Sequence, residues 1–329
     1  MDELSAKSDF ALPIEEIHTP VMIDRIVELL SPALQESSVY VDATLGMGGH
    51  AERILQANPQ ARLLGIDRDA AAIALAKHRL APFGERVTIV QARFDELPNI
   101  LRGLKLDSVQ AILADFGLSS LQIDDVGRGF SYSVDAPLDM RMDRRQDLTA
   151  ADIVNDFEAD ELVRLFRTLG DETQAPRIVR AIVAEREKRR IESSAELVEI
   201  ITNSLPAAIR HGGRGHPAKR VFQALRIAVN LELEAVEAFI TGALDHLAVG
   251  GRLALLSYHS GEDRLAKSAL ARATSHSAPP GLPVIPESMK AKFVPLTRGA
   301  EKPSEVEINH NPRAASARLR AVERIGEDQ

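Results

Sequence analysis

Apolar residues in the first third of this chain come in short unbroken runs rather than in strict alternation. Val39-Tyr40-Val41, Leu63-Leu64-Gly65-Ile66, Val87 to Val90 and Ala111-Ile112-Leu113-Ala114 are such runs. Runs of this kind predict strands buried on both faces, as in a parallel sheet. The stretches between them carry apolar residues at helical spacing, first around Ile54 and Leu55, then through the alanine-rich segment Ala70 to Leu80. Short strands separated by helices of roughly 10–15 residues predict a doubly wound, Rossmann-like α/β sheet.

From about Leu148 to Leu205 the strand-like runs stop. Thr149, Glu158 and Ser194 each precede apolar residues at helical spacing, such as Ile178, Val179, Ala181, Ile182 and Ala184, while Glu185 to Arg190 is wholly charged. This pattern predicts an all-helical insertion over residues 144–213, closed by the loop Gly212-Gly213-Arg214-Gly215. The α/β pattern then resumes with one long helix from Val221 to Leu247, a turn at Gly250-Gly251, a strand from Arg252 to Ser257 and a helix from Glu262 to Ala273. Phe293 to Leu296 and Ala317 to Val322 are expected to pair antiparallel at the sheet's edge. The α/β domain therefore has two segments, 18–143 and 214–329, after a disordered lead over residues 1–17. That lead mixes Asp2, Glu3, Lys7 and Asp9 with no apolar core, unlike a signal peptide.

Composition narrows the chemistry. At 45% hydrophobic and 27% charged residues the chain is of ordinary globular make-up. No run of about 18 apolar residues exists, so no membrane-spanning helix is expected and a cytoplasmic location is. The absence of cysteine excludes disulfides, thiolate nucleophiles and cysteine-ligated zinc. Aspartates are plentiful, but none forms a cluster with diagnostic ligand spacing, so no metal is expected. A net charge of −8 means that any nucleic-acid site must be a local patch. Two patches qualify: Arg210, Arg214, Lys219, Arg220 and Arg226, with no acid between Ala207 and Asn230, and then Arg313, Arg318, Arg320 and Arg324. A plain solvated face would explain either one equally well.

The first strand ends in the turn Gly46-Met47-Gly48-Gly49-His50, where glycine lets the backbone approach a ligand at a helix N-terminus. It lacks the third glycine of the dinucleotide fingerprint, which argues against a dehydrogenase. Asp67, about 20 residues on, is placed to accept hydrogen bonds from ribose hydroxyls, with Asp69 the better helix cap. Phe94 follows the third strand and suits an adenine face, and Asp115 ends the fourth at the sheet's carboxyl edge. Together they favour an adenosine-bearing ligand without pyrophosphate, and S-adenosylmethionine fits that description better than NAD.

A longer series of motifs matches one family. The stretches are His18-Thr19-Pro20-Val21, Val41 to His50, Gly65 to Asp69, Asp115-Phe116-Gly117-Leu118-Ser119-Ser120 with Gln122, Arg128-Gly129-Phe130-Ser131 and Ala136 to Asp143. His216-Pro217-Ala218, Phe222 to Ile227, Ser257-Tyr258-His259-Ser260, Glu262-Asp263-Arg264 and Asn311-Pro312-Arg313-Ala314 follow in order. The chain resembles the bacterial small-subunit ribosomal RNA N4-cytosine methyltransferases, the methyltransferase H family. The resemblance implies cofactor contacts at Gly48, Gly49, His50, Asp67, Phe94, Asp115 and Gln122, the last from resemblance alone. It also implies 16S ribosomal RNA in the small subunit as partner, methylated on a cytidine of the decoding region. Met47, Phe116, Leu118, Leu121 and Gly261 depart from the family's usual residues without removing a donor, acceptor or charge.

Methyl transfer to an exocyclic amine needs an in-line approach and an acceptor for one N–H, because the nitrogen lone pair is delocalised into the ring. Asp115, Asp139 and His259 are the candidates for that acceptor. Methylation at carbon 5 ordinarily requires a thiolate, which this chain lacks, so its composition agrees with the nitrogen target. The target base must be unpaired or pulled from its stack, with the basic patches holding phosphates; Arg226, on a helix that is partly core, has pairing with an internal acid as its alternative. Two rivals remain. A DNA amino-methyltransferase would carry a Pro-Pro-Tyr-like run where Phe116-Gly117-Leu118 stands, and a non-catalytic RNA-binding assembly factor would not need the polar clusters at Asp139 to Asp143 and Ser257 to Arg264.

Overall fold

A computed structural model describes residues 20–117, 126–212, 216–279, 286 and 289–326. Its centre is a seven-stranded sheet built from β1 (Val39–Asp42), β2 (Arg62–Asp67), β3 (Val87–Gln91), β4 (Val109–Asp115), β5 (Leu247–Ser257), β6 (Phe293–Pro295) and β7 (Arg318–Arg324). The order is β3-β2-β1-β4-β5-β7-β6. Strands β1 to β5 run parallel, while β7 pairs antiparallel with both β5 and β6.

Adjacent strand residues feed opposite cores, as the pleat requires. Along β4, Ala111 and Leu113 join one apolar cluster while Ile112 and Ala114 join the other. Helices α1 (Ile23–Leu30), α2 (Gly49–Ala57) and α3 (Ala70–Leu80) cover the first face. Helices α4 (Leu97–Gly103), α11 (Glu232–Asp245) and α12 (Ser260–Ala273) cover the second. The sheet is therefore doubly wound and Rossmann-like, as the apolar runs predict. Strand order reverses between β1 and β4, which is where open sheets of this type form a ligand crevice.

The middle of the chain folds into α5 (Ala150–Asp156), α6 (Ala159–Gly170), α7 (Ala175–Arg186), α8 (Ser194–Ser204), α9 (Ala207–Gly212) and α10 (Lys219–Asn230). Thr149 caps α5 with a capping box, and Ser193 rather than Ser194 does the same for α8. All of these helices except α9 share a third core, which also takes in Leu138, Met140 and Met142 from before residue 144 and Val221, Phe222 and Leu225 from after residue 213.

One expected element is two. The helix read from Val221 to Leu247 breaks at Leu231, whose φ of 50° is left-handed. Asn230 explains the break: it is 1% exposed, donates to Met140 O at 2.8 Å and accepts from Met142 N at 2.8 Å. A buried amide with both ends satisfied pins the chain there. Gly250-Gly251, read as a turn, lies inside β5, where the pairing with β4 shifts register between Val109 and Ala111. Among the described residues no helix is long and apolar enough to cross a membrane.

Candidate active site

A cavity of about 450 Å³ opens at the β1/β4 switch point, well sized for a small-molecule cofactor. The turn after β1 forms one wall. Gly46 takes φ +52° with no atom nearer than 3.9 Å to where a Cβ would stand, so a side chain there would fill the cradle. Gly46 N–H donates to Asp67 Oδ2 at 2.7 Å, tying the turn to the end of β2. Asp69 N–H donates to Asp67 Oδ1 at 2.8 Å. Burial pushes the Asp67 carboxyl above its ordinary range, against the pull of these two backbone donors. Asp69 caps α3 by accepting from Ala71 N–H at 3.0 Å, as expected.

Phe94 lines the apolar side with Ala92, Phe116 and Val236. Its ring packs on Phe116 at 5.8 Å, tilted by 52°, and edge-on to Phe239 at 5.5 Å, which fixes an aromatic wall on the cavity that Asp67 also lines. Gly49 also lines the cavity, and a Cβ on it would stand 2.6 Å from Pro20. Gly48 does not line it. Its φ of +79° and its approach to Leu80 serve the packing of α2 on α3 instead. Gln122 lies outside the described residues.

Asp115 and His50 meet at the deep end. His50 Nε2 lies 3.0 Å from Val21 O and therefore donates, which leaves Nδ1 with its lone pair. Burial lowers the His50 pKa to about 4, so the ring is neutral at physiological pH. Nδ1 stands 3.8 Å from Asp115 Oδ2. Two acceptors side by side suit a ligand that brings several N–H donors, such as an ammonium. Thr44 Oγ1 accepts the Asp115 backbone N–H at 2.6 Å, and the half-buried Tyr258 hydroxyl faces the Asp115 carboxylate. Burial first, and that carboxylate second, raise the Tyr258 pKa well above its usual value, so Tyr258 stays a donor.

Two expected proton acceptors take other roles. Asp139 is not among the residues lining the cavity. Its carboxylate accepts from Arg141 Nε at 2.8 Å, Arg141 Nη2 at 2.9 Å and Arg141 N at 3.0 Å, which builds a turn. His259 does line the cavity, but its ring lone pair is engaged, while Nε2 and Glu262 Oε1 are buried without a hydrogen-bond partner among the described residues. Nδ1 accepts from Gly261 N–H at 3.1 Å at the start of α12, so the proton sits on Nε2, 3.1 Å from Glu262 Oε1. A ring in that tautomer has no lone pair to offer a substrate. Burial pushes the Glu262 carboxyl up, yet His259 and the Tyr258 backbone N–H together hold it below its ordinary value. Ligand atoms of Glu232, His259 and Glu262 lie within 4.8 Å of one another. Glu232 is nevertheless held in a two-pronged pair by Arg226, at 2.8 and 2.9 Å.

That pair decides Arg226 for its alternative reading, a core-helix arginine paired with an internal acid, over the phosphate contact. Arg320 is likewise bound through both prongs to Asp263, at 2.8 and 3.1 Å. Arg318 donates to the carbonyls of Ser316 and Ala317, and Arg220 to that of Asp171. Lys219 lines the cavity alongside Gln223, one turn further along α10. Arg214 and the side chains of Arg210 and Arg313 lie outside the described residues. Sequence reasoning passed over Thr44 and Tyr258, although both stand inside stretches that match the family.

A family model described as the MraW methylase family matches residues 15–325. A protein of Cutibacterium acnes named ribosomal RNA small subunit methyltransferase H is 55% identical over 316 residues, covering 96% of this chain and 94% of that relative. A relative of the same name from Streptomyces avermitilis is 54% identical over 312 residues, with 94% and 98% covered. One from Thermobifida fusca is 52% identical over 311 residues, with 94% of each covered.

Proposed function

The chain belongs to the MraW methylase family, and from that premise we propose that it methylates N4 of a cytidine in the decoding region of 16S ribosomal RNA. Its cofactor is S-adenosylmethionine. The cavity fits that group: the aromatic wall of Phe94 and Phe116 suits adenine, Asp67 the ribose hydroxyls, and the His50–Asp115 acceptor pair the amino-acid ammonium. The bound cofactor supplies an electrophilic methyl on a cationic sulfur.

The observation that carries the N4 reading is Asp115, an acidic side chain 20% exposed within the cavity and steadied by Tyr258, in a chain without cysteine. A carboxylate accepting one N4–H would draw the amine lone pair out of conjugation and take the proton as the new N–C bond forms. Tyr258 and Thr44 hold Asp115 in register. Lys219, at the cavity wall, would hold a phosphate beside the target base. Helices α5 to α8 of the helical unit over residues 144–213 share a core with α10, which carries Lys219, Gln223 and Arg226 to the cavity.

The reading is tested by incubating labelled S-adenosylmethionine with small ribosomal subunits from cells lacking this gene, then digesting the RNA for mass spectrometry. N4-methylcytidine is the expected product. Cofactor binding without any methylated nucleoside would move DNA substrates or a non-catalytic assembly role to the front. A second expectation concerns the cofactor alone. Asp67→Ala removes a charged acceptor from two ribose hydroxyls and unties the Gly46 turn. At about 1.5–3 kcal/mol per charged hydrogen bond, calorimetry should show cofactor affinity falling at least about 10–100-fold. An unchanged affinity would remove Asp67 from the ribose.

A further inference from the structure

Arg68 directly follows Asp67, and its half-buried side chain has no carboxylate partner among the described residues. The one hydrogen bond it makes is from Nη2 to the sulfur of Met142. Other enclosed arginines are matched: Arg128 with Asp69, Arg226 with Glu232, Arg320 with Asp263. Burial lowers the Arg68 pKa, with Glu232, Asp67 and Asp143 acting in the opposite sense and Arg93 adding to the strain. An arginine cannot shed its proton, so an enclosed one without a counter-ion is costly.

Its position suggests why it is kept. Arg68 and Met142 line both the main cavity and a second one of about 670 Å³, and so form the partition between them. The second cavity lies over the N-terminus of the eleven-residue helix α3, with Arg128, Arg144, Arg145 and Gln91 around it. Its two acids are spent, Asp69 on Arg128 and on the α3 cap, Asp143 on Arg145 at 2.7 Å. Arg144 is exposed, and its side chain makes no hydrogen bond or ion pair among the described residues. Four guanidinium groups against two carboxylates leave the groove with an excess of two positive charges.

We propose that this groove takes the RNA strand flanking the target nucleotide, with Arg68 and Arg144 holding its phosphates where the base passes into the main cavity. The inference rests on the RNA methylation proposed above. A planar guanidinium fork matches a phosphate's oxygens better than a lysine would. The cofactor's carboxylate is an oxyanion too, and the test separates the two sources.

The probe is an RNA fragment spanning the small-subunit decoding region, titrated against Arg68→Gln, Arg68→Lys and Arg144→Gln at several potassium chloride concentrations. Arg68→Gln is expected to weaken RNA binding about tenfold and to flatten the log–log salt slope by about 0.7, one phosphate contact on a single strand. Arg68→Lys should restore the slope and part of the affinity. Arg144→Gln should flatten the slope similarly with a smaller loss of affinity. The cofactor's Kd should stay within about twofold, and the thermal midpoint of Arg68→Gln should hold or rise, because an enclosed unpaired charge has gone. Unchanged RNA affinity and slope in Arg68→Gln would overturn the proposal. So would weaker cofactor binding with RNA binding intact, which would assign Arg68 to the cofactor's carboxylate. A lowered midpoint that Arg68→Lys repairs without restoring the salt slope would make the residue structural. If the unaltered protein neither binds nor methylates the RNA, the methylation reading falls as well. If it methylates RNA and Arg68→Gln is indistinguishable from it, only the groove does.

Discussion

Asp115→Ala is expected to lower the rate of methyl transfer by about 10²–10³-fold, the usual loss when a positioned acceptor is removed. The variant should still fold, because the contact from Thr44 is to the Asp115 backbone and not to its side chain. Cofactor binding should weaken too, since Oδ2 forms half of the acceptor pair with His50. Single-turnover rates at saturating cofactor and RNA separate the two effects. His50→Ala provides the contrast: it should lose cofactor affinity and keep most of the saturated rate. Tyr258→Phe should fall between them, as it leaves the carboxylate in place without its donor. A saturated rate within threefold of the unaltered protein for Asp115→Ala would end its role as N–H acceptor, and the cofactor contact would be its whole function.

Asp42→Asn should make the protein more stable at pH 7 than the unaltered chain, and the advantage should vanish near pH 4. Asp42 ends β1 with 1% exposure, and burial raises its pKa to about 7, although Tyr40 OH at 3.1 Å and Thr44 N at 3.3 Å favour the charged form. Between its unfolded pKa near 4 and about 7 the folded chain holds a proton that the unfolded chain releases. The folded state therefore binds more protons, and stability falls as pH rises through that window. Three units at about 1.4 kcal/mol each come to about 4 kcal/mol. His50 has the opposite sign: its pKa is lowered to about 4, so its contribution is present above its unfolded pKa and is lost as pH falls towards 4. In the unaltered protein the two slopes largely offset one another. Asp42→Asn should expose the His50 slope, which denaturant unfolding at pH 4, 5.5 and 7 would read. A difference between the two proteins that does not change with pH would show Asp42 ionised in the fold.

Much of this molecule was legible before any coordinates. The strands ending in Asp42, Asp67 and Asp115 follow from apolar runs, and α3 matches its predicted span residue for residue. The misses share one cause. Glu232 and Asp263 took up the guanidinium groups of Arg226 and Arg320. For Arg226 the sequence leaves an internal acid open as a partner, but only the fold shows that it is Glu232, which lies just beyond the acid-free stretch ending at Asn230. The long helix was misjudged likewise, since the partners of Asn230 are backbone atoms about 90 residues away. Asp139 and His259 had the right functional groups, but hydrogen bonds to Arg141 and Gly261 had already used them.

What the sequence by itself determined is therefore what depends on near neighbours: strand and helix periods, the glycine turn, the capping residues, and the spacing that brings acids to strand ends. Tertiary structure alone decided which charges stay free. Coulomb energy and desolvation depend on distance and burial in space, and these are set by chain segments far apart in sequence. Arg68 is the plainest case, since nothing around it in the sequence distinguishes it from arginines that the fold pairs with acids.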